Sequence, residues 1–302
     1  MHYQELALRE DGSAYLDCFV QDPEISVGHR KTRPALIVCP GGAYLTLSRR
    51  EGEPVALRFA GMGYQAFVCR YLTFIRPPAD VSKELHIQPH SHYPEQLIDL
   101  MRAVALVREH AQEWGIDPQR VYVAGFSAGA HLCGMLAENW DDPDVLARAG
   151  IAAEDAALVR PDGVIMGYPM LNASPKLENR QPIPHEELFI QALFGTKEPD
   201  PEMMDRVDLV RHVRPDMPRV FVWHTAEDRV VSPRDTVALV DRMLELGVPC
   251  ELHLYQCGPH GQALCDATSA ARTKELNAQA SSWPAAAHAW MQQGYEDAPL
   301  SY

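Results

Sequence analysis

The sequence lacks several features that would each point to a particular class of protein. Its first twelve residues, MHYQELALREDG, are charged and hold no apolar core of the ~7–15 residues that a secretory signal needs. No run approaches the ~18 consecutive apolar residues that would span a bilayer. The seven cysteines are odd in number and form no C-x-x-C pair. Cys39, Cys69 and Cys250 fall inside apolar, strand-like runs, where a thiol behaves as a small hydrophobe. Reduced thiols and a cytoplasmic location are therefore expected. Basic charge is scarce too: 27 Lys and Arg face 41 Asp and Glu, a formal charge of −14 with a pI near 5.3. Such a surface repels polyanions, so neither nucleic acid nor a membrane is expected as a partner. No Ser/Gly-rich linker, charge block or internal repeat divides the 302 residues, which are 46% hydrophobic and 23% charged. Residues 1–302 are accordingly read as a single domain of ordinary globular composition.

What is present is an alternation of strand and helix signals. ALIVCP (35–40), QAFVCRYL (65–72), RVYVAGF (120–126), GVIMGYP (163–169), RVFVWHTAE (219–227) and ELHLYQC (251–257) are short, nearly continuous apolar runs. Between them lie helical patterns, clearest in 93–115, where Leu97, Leu100, Met101, Val104, Ala105 and Val107 share a face. Helices are also expected over 128–140, 232–247 and 282–291, and two antiparallel strands around QELALRE and AYLDCFV. Continuous apolar strands alternating with helices predict an α/β fold, a mostly parallel sheet covered on both faces. In such sheets ligands bind beyond the carboxyl ends of the strands.

That rule tests the stretch GFSAGAH (125–131), whose first five residues fit G-x-S-x-G. Alone the pattern is weak, since roughly one 300-residue chain in ten carries it by chance. Here it follows the strand RVYVAGF and opens a helix, the context of a nucleophile elbow. Gly125 and Gly129 would remove collisions around a strained serine, Ser127, and Ala128 would present its N–H at a helix N-terminus.

A serine hydroxyl needs a base, and the base an orienting acid. Asp228 follows the next strand but one, and His260 follows the strand after it, in the order Ser, Asp, His. Glu227 is the alternative acid. The loop after ALIVCP, Pro40-Gly41-Gly42-Ala43-Tyr44, should supply further oxyanion donors, assigned to the N–H groups of Gly42 and Ala43 beside Ala128.

With these residues in view, the sequence resembles the bacterial α/β-hydrolase esterases of the acetyl esterase and acetylxylan esterase type, related to the hormone-sensitive-lipase-like group. CPGGAY, RREGEPVALRFAGMGYQAFVCRYL, the run from YPEQL to GFSAGAHLC, FVWHTAEDRVV and PCELHLYQCGPHG carry the resemblance over roughly residues 35 to 262. Ala43 stands where these esterases often carry a third glycine, and Ala130 where a glycine commonly follows Gly129; both departures should tune the pocket without abolishing activity. The resemblance implies hydrolysis of short-chain acyl esters, acetyl first, on acetylated carbohydrates such as xylo-oligosaccharides, with no cofactor and no metal. The same triad also serves amidases and prolyl-peptidase-like enzymes, and the fold serves non-catalytic binding proteins, so both stay as alternatives. A small-molecule or oligosaccharide ester is the expected partner, and a second copy of the chain is left open.

Three assignments remain. HIQPHSHY groups His86, His90 and His92, but at no metal-ligand spacing, so it is read as a loop rimming the site. His131 and His224 are read as structural. The segment of about 170–215, including HEELFIQALFG, is expected to form a cap, with Tyr44 and Tyr168 lining the substrate pocket.

Overall fold

A computed structural model describes residues 1–22, 32–76, 86–173, 181–183 and 185–293. Ten strands occur among them: β1 (His2–Ala7), β2 (Tyr15–Val20), β3 (Arg33–Cys39), β4 (Gln65–Arg70), β5 (Ile75–Arg76), β6 (His86–Ile87), β7 (Ile116–Phe126), β8 (Gly163–Gly167), β9 (Val220–Thr225) and β10 (Cys250–Tyr255). Strands β5 and β6 form a separate two-stranded ribbon. The other eight make one sheet in the order β1-β2-β4-β3-β7-β8-β9-β10. Pairing is parallel from β4 to β10, while β2 runs antiparallel to both its neighbours. The sheet is therefore mostly parallel, with β2 alone reversed, as the apolar runs predicted.

The central strands are apolar where both of their faces are covered, as over 35–39 of β3 and 121–126 of β7. In β3, Ala35, Ile37 and Cys39 enter one buried cluster while Leu36 and Val38 enter the other. Strand β9 alternates likewise, Val220 and Val222 against Phe221 and Trp223. Helices α1 (Glu53–Ala60) and α8 (Trp283–Gln292) cover one face, α8 through Trp283, which stacks on Trp223 at 5.4 Å. Helices α2 (Glu95–Glu109), α3 (Ala128–Asn139) and α7 (Pro233–Glu245) cover the other. This is the α/β-hydrolase arrangement of a parallel sheet flanked by helices.

The sequence reading passed over α4 (Pro143–Ala149), though its signals are local: Asp142 caps the Asp144 and Val145 N–H groups, Pro143 starts it and Gly150 ends it in a left-handed turn. Between β8 and β9, where a cap was expected, α5 (Phe189–Phe194) and α6 (Pro201–Arg206) occur, and residues 174–180 and 184 of that segment lie outside the described residues. Among the described residues no helix is long and apolar enough to cross a membrane. All seven cysteines are free thiols.

Candidate active site

The chain enters the site at Ser127, between β7 and α3. Its backbone has φ 52° and ψ −116°, a region that L-residues avoid. The strain is held by tight packing. A Cβ on Gly125 would lie 2.1 Å from the Gly129 carbonyl oxygen, and one on Gly129 would lie 2.1 Å from that of Cys39. Both contacts are with backbone, so neither position accepts a side chain. Strand β3 thus approaches the start of α3 closely enough to bring the Gly42 loop beside Ser127. A serine at a helix N-cap normally accepts a bond from its own helix. Here it makes no such cap, and its hydroxyl turns outward.

That hydroxyl meets His260. Ser127 Oγ is 2.9 Å from His260 Nε2, and His260 Nδ1 is 2.7 Å from Asp228 Oδ2. His260 follows β10 and Asp228 follows β9, and the two loops are tied together. Thr225 donates its hydroxyl to the Gly258 carbonyl at 2.8 Å, and Gly258 donates its N–H to Glu227 at 3.0 Å. Glu227, the alternative acid, therefore clamps the histidine loop, and Asp228 is the carboxylate on His260.

Asp228 is wholly buried in its side chain, whereas His260 is 16% exposed. Burial by itself would raise the Asp228 pKa. Electrostatic attraction to His260 and hydrogen bonds from His224 and His260 reverse that effect, holding the carboxyl well below the usual carboxylate range. Its other oxygen accepts the N–H groups of Val230 and Val231 at 2.8 and 3.0 Å. An ionised, immobile carboxylate fixes the imidazole with its Nδ1 protonated and leaves the Nε2 lone pair for the serine proton.

Gly42, with φ 131°, and Ala43, with φ 56°, turn the chain at the end of β3. The Gly42 carbonyl is occupied by the Leu45 and Thr46 N–H groups, and the loop lies along the same cavity as Ser127 and His260. Ala128 is the first residue of α3, so its N–H lies among the unpaired donors of the first turn. The cavity measures about 740 Å³, and its lining includes Ile183, Phe189 and Ile190 from between β8 and β9, together with Val230 and Val231, which bond Asp228.

The tyrosine assignments need correction. Tyr44 is 2% exposed and its hydroxyl bonds His131 Nδ1 at 2.7 Å, inside the core and away from the cavity. Its backbone turns at φ 58°, so the side chain leaves the loop on the inner side. Tyr168, 1% exposed, lies behind the triad, its ring edge-on to His260 at 4.9 Å between centroids. Neither can touch a substrate in this cavity. The His86, His90 and His92 loop does not line it either.

The sequence reading missed Glu51. It is buried, accepts the Gly41 N–H at 2.8 Å and the Tyr168 hydroxyl at 2.7 Å, and Tyr168 in turn accepts the Ala263 N–H at 3.0 Å. One carboxylate thereby joins the glycine loop to the histidine loop. A signal existed, an acidic residue beside the glycine turn in RREGEP, but nothing local says where its side chain goes. His131 and His224 are both wholly buried. Burial pushes the His131 pKa down to about 4, partly opposed by the Val207 carbonyl it bonds.

Known proteins agree with this architecture. Residues 26–243 match the BD-FAE family model. The chain is 32% identical over 234 residues to the endo-1,4-β-xylanase B of Butyrivibrio fibrisolvens, covering 76% of this chain and 32% of that protein. It is 26% identical over 259 residues to an acetylxylan esterase of Xylanibacter ruminicola, covering 85% of this chain and 45% of the other. The chain thus spans between about a third and half of these curated relatives. A carboxylesterase of Lactobacillus plantarum superposes with a TM-score of 0.77 at 25% identity, covering 97% of both chains. Matched by one family model over most of its length, the chain belongs to the BD-FAE family and carries the α/β-hydrolase fold of carboxylic ester hydrolases.

Proposed function

We propose that the protein is a serine esterase that hydrolyses short acyl esters, acetyl first, on an acetylated carbohydrate. The observation that carries the reading is the relay Ser127–His260–Asp228, whose serine opens onto the cavity. His260 Nε2 takes the Ser127 proton as the oxygen attacks the ester carbonyl. The N–H groups of Gly42, Ala43 and Ala128 receive the tetrahedral oxyanion, assisted by the positive end of α3. Collapse expels the alcohol, which takes its proton from His260, and leaves an acyl-serine. Water, deprotonated by the same imidazole, then attacks the acyl carbonyl and releases the acid. No step calls for a cofactor.

The carbohydrate assignment draws support from the acetylxylan esterase and xylanase among the relatives, and a wide, partly polar cavity suits a sugar alcohol. The segment carrying Ile183, Phe189 and Ile190 is proposed as the cap over that site. Seven free thiols favour the cytoplasm, where imported oligosaccharides would be met.

The test measures acetate release from acetylated xylo-oligosaccharides beside p-nitrophenyl acetate through octanoate, with wild type and Ser127→Ala. Sugar deacetylation that vanishes in Ser127→Ala supports triad and substrate together. Activity on the aryl acetate alone keeps the esterase and removes the sugar. Equal rates in both proteins remove the triad.

A further inference from the structure

Four hydrogen-bond donors converge on Asp228, and one of them is not part of a serine–histidine–aspartate relay. Val230 and Val231 N–H groups occupy Oδ1, at 2.8 and 3.0 Å. His260 Nδ1 occupies Oδ2 at 2.7 Å, and His224 Nε2 lies 3.0 Å from that same oxygen. His224 stands near the end of β9, four residues before the aspartate, and is wholly buried. Its other nitrogen, Nδ1, is 2.8 Å from the hydroxyl of Thr236, in the first turn of α7. Thr236 is wholly buried as well.

The chemistry of these groups permits one arrangement of protons. An ionised carboxylate only accepts, so both imidazoles must donate to Oδ2. Burial depresses the His224 pKa, more than the bond and charge of Asp228 raise it, so the ring is neutral. A neutral ring that donates from Nε2 has a lone pair at Nδ1, and the Thr236 hydroxyl donates to it. Thr236 thus selects the His224 tautomer, just as Asp228 selects that of His260.

We propose that His224 and Thr236 are positioning residues of the esterase, an outer relay that locks the Asp228 carboxylate in the plane His260 requires. The proposal rests on the triad reading above. With two donors on each oxygen, the carboxylate cannot rotate about its last torsion without breaking a bond. Without His224, Oδ2 holds His260 alone and the carboxylate loses one of its four restraints, the one on the oxygen that orients His260. The other tautomer of His224 would aim a lone pair at the carboxylate and push it away.

Neither side chain lines the cavity, so substrate binding offers a separate readout. His224→Leu, His224→Gln, Thr236→Val and Thr236→Ser are compared with wild type and Ser127→Ala on p-nitrophenyl acetate, alongside thermal melting. Losing the charge-assisted bond to Asp228 in His224→Leu, or the hydroxyl that selects the His224 tautomer in Thr236→Val, should lower kcat roughly ten- to a hundredfold, with KM within about twofold. Thr236→Ser restores the hydroxyl and His224→Gln an N–H donor, so both should recover most of the loss. Thr236→Val keeps the volume of threonine, which makes it the decisive variant should His224→Leu fail to fold. A folded Thr236→Val with wild-type kcat overturns the proposal, as does a kcat loss that Thr236→Ser shares. Activity surviving in Ser127→Ala overturns the triad itself, and the outer relay with it.

Discussion

Replacing Asp228 by asparagine probes the site most sharply, because the amide must choose between two pairs of donors. The carboxylate now accepts Val230 and Val231 N–H on one oxygen and His224 and His260 on the other. Asparagine offers one acceptor atom and one NH2. If the NH2 faces the backbone, two buried N–H groups lose their acceptor, at about 1–3 kcal/mol each. If it faces the histidines, both rings can turn to the other tautomer, because Thr236 can then accept from His224 Nδ1 and Ser127 Oγ can accept from His260 Nε2. The second orientation is favoured by roughly 2–6 kcal/mol, the sum of those two losses. It preserves the fold and removes the base, since His260 Nε2 then carries a proton toward the serine. The expected loss in kcat is about 10⁴-fold, or about 5.5 kcal/mol in barrier, with little change in melting temperature. Steady-state hydrolysis of p-nitrophenyl acetate measures it, with Glu227→Gln as the contrast. Glu227 bonds only the Gly258 N–H among these groups, so its variant should stay within a few-fold of wild type. A loss below about tenfold in Asp228→Asn would refute the tautomer argument, and a larger loss in Glu227→Gln would transfer the acid role.

Glu51→Gln leaves one acceptor for two donors, Gly41 N–H and the Tyr168 hydroxyl. It should cost about 1–3 kcal/mol of stability and about tenfold in kcat, through loosening of the Gly42 loop; an unchanged denaturation midpoint would show the carboxylate to be dispensable. His131 is pushed down to about 4 in the folded chain, against about 6.5 when unfolded. The unfolded state therefore binds the extra proton first. Stability contributed by the neutral ring is present above about pH 6.5 and is lost as the pH falls toward 4, by about 3 kcal/mol. Urea midpoints at pH 7 and 4.5 should differ less in His131→Gln than in wild type, and equal slopes would exclude His131 as the source.

Much of this architecture is legible in the amino-acid sequence. Parallel strands buried on both faces are largely apolar, so the covered stretches of β3, β7 and β9 stand out as nearly continuous runs. The elbow was legible for a local reason as well. Gly125 and Gly129 are required by backbone contacts between neighbouring segments, and the turn itself marks Ser127. Asp228 and His260 were legible because a parallel sheet delivers every strand end to one edge. The adjacent carboxylate Glu227 was harder to separate, since one residue along a loop reverses the direction of a side chain. Tyr44 and Tyr168 were misread for that reason: both follow strand ends, as a pocket residue would, yet positive-φ turns send their rings inward.

The spacing of apolar residues and turn glycines determined the sheet, its layers and the edge at which the chemistry gathers, because those depend on local period and on backbone sterics. The contacts of Glu51, His224 and Thr236 depended on side chains meeting across 117, 4 and 12 residues of chain, as Glu51 meets Tyr168, His224 meets Asp228 and Thr236 meets His224. Only the packed structure decided those, because buried polar groups take whatever partners the closed core leaves them.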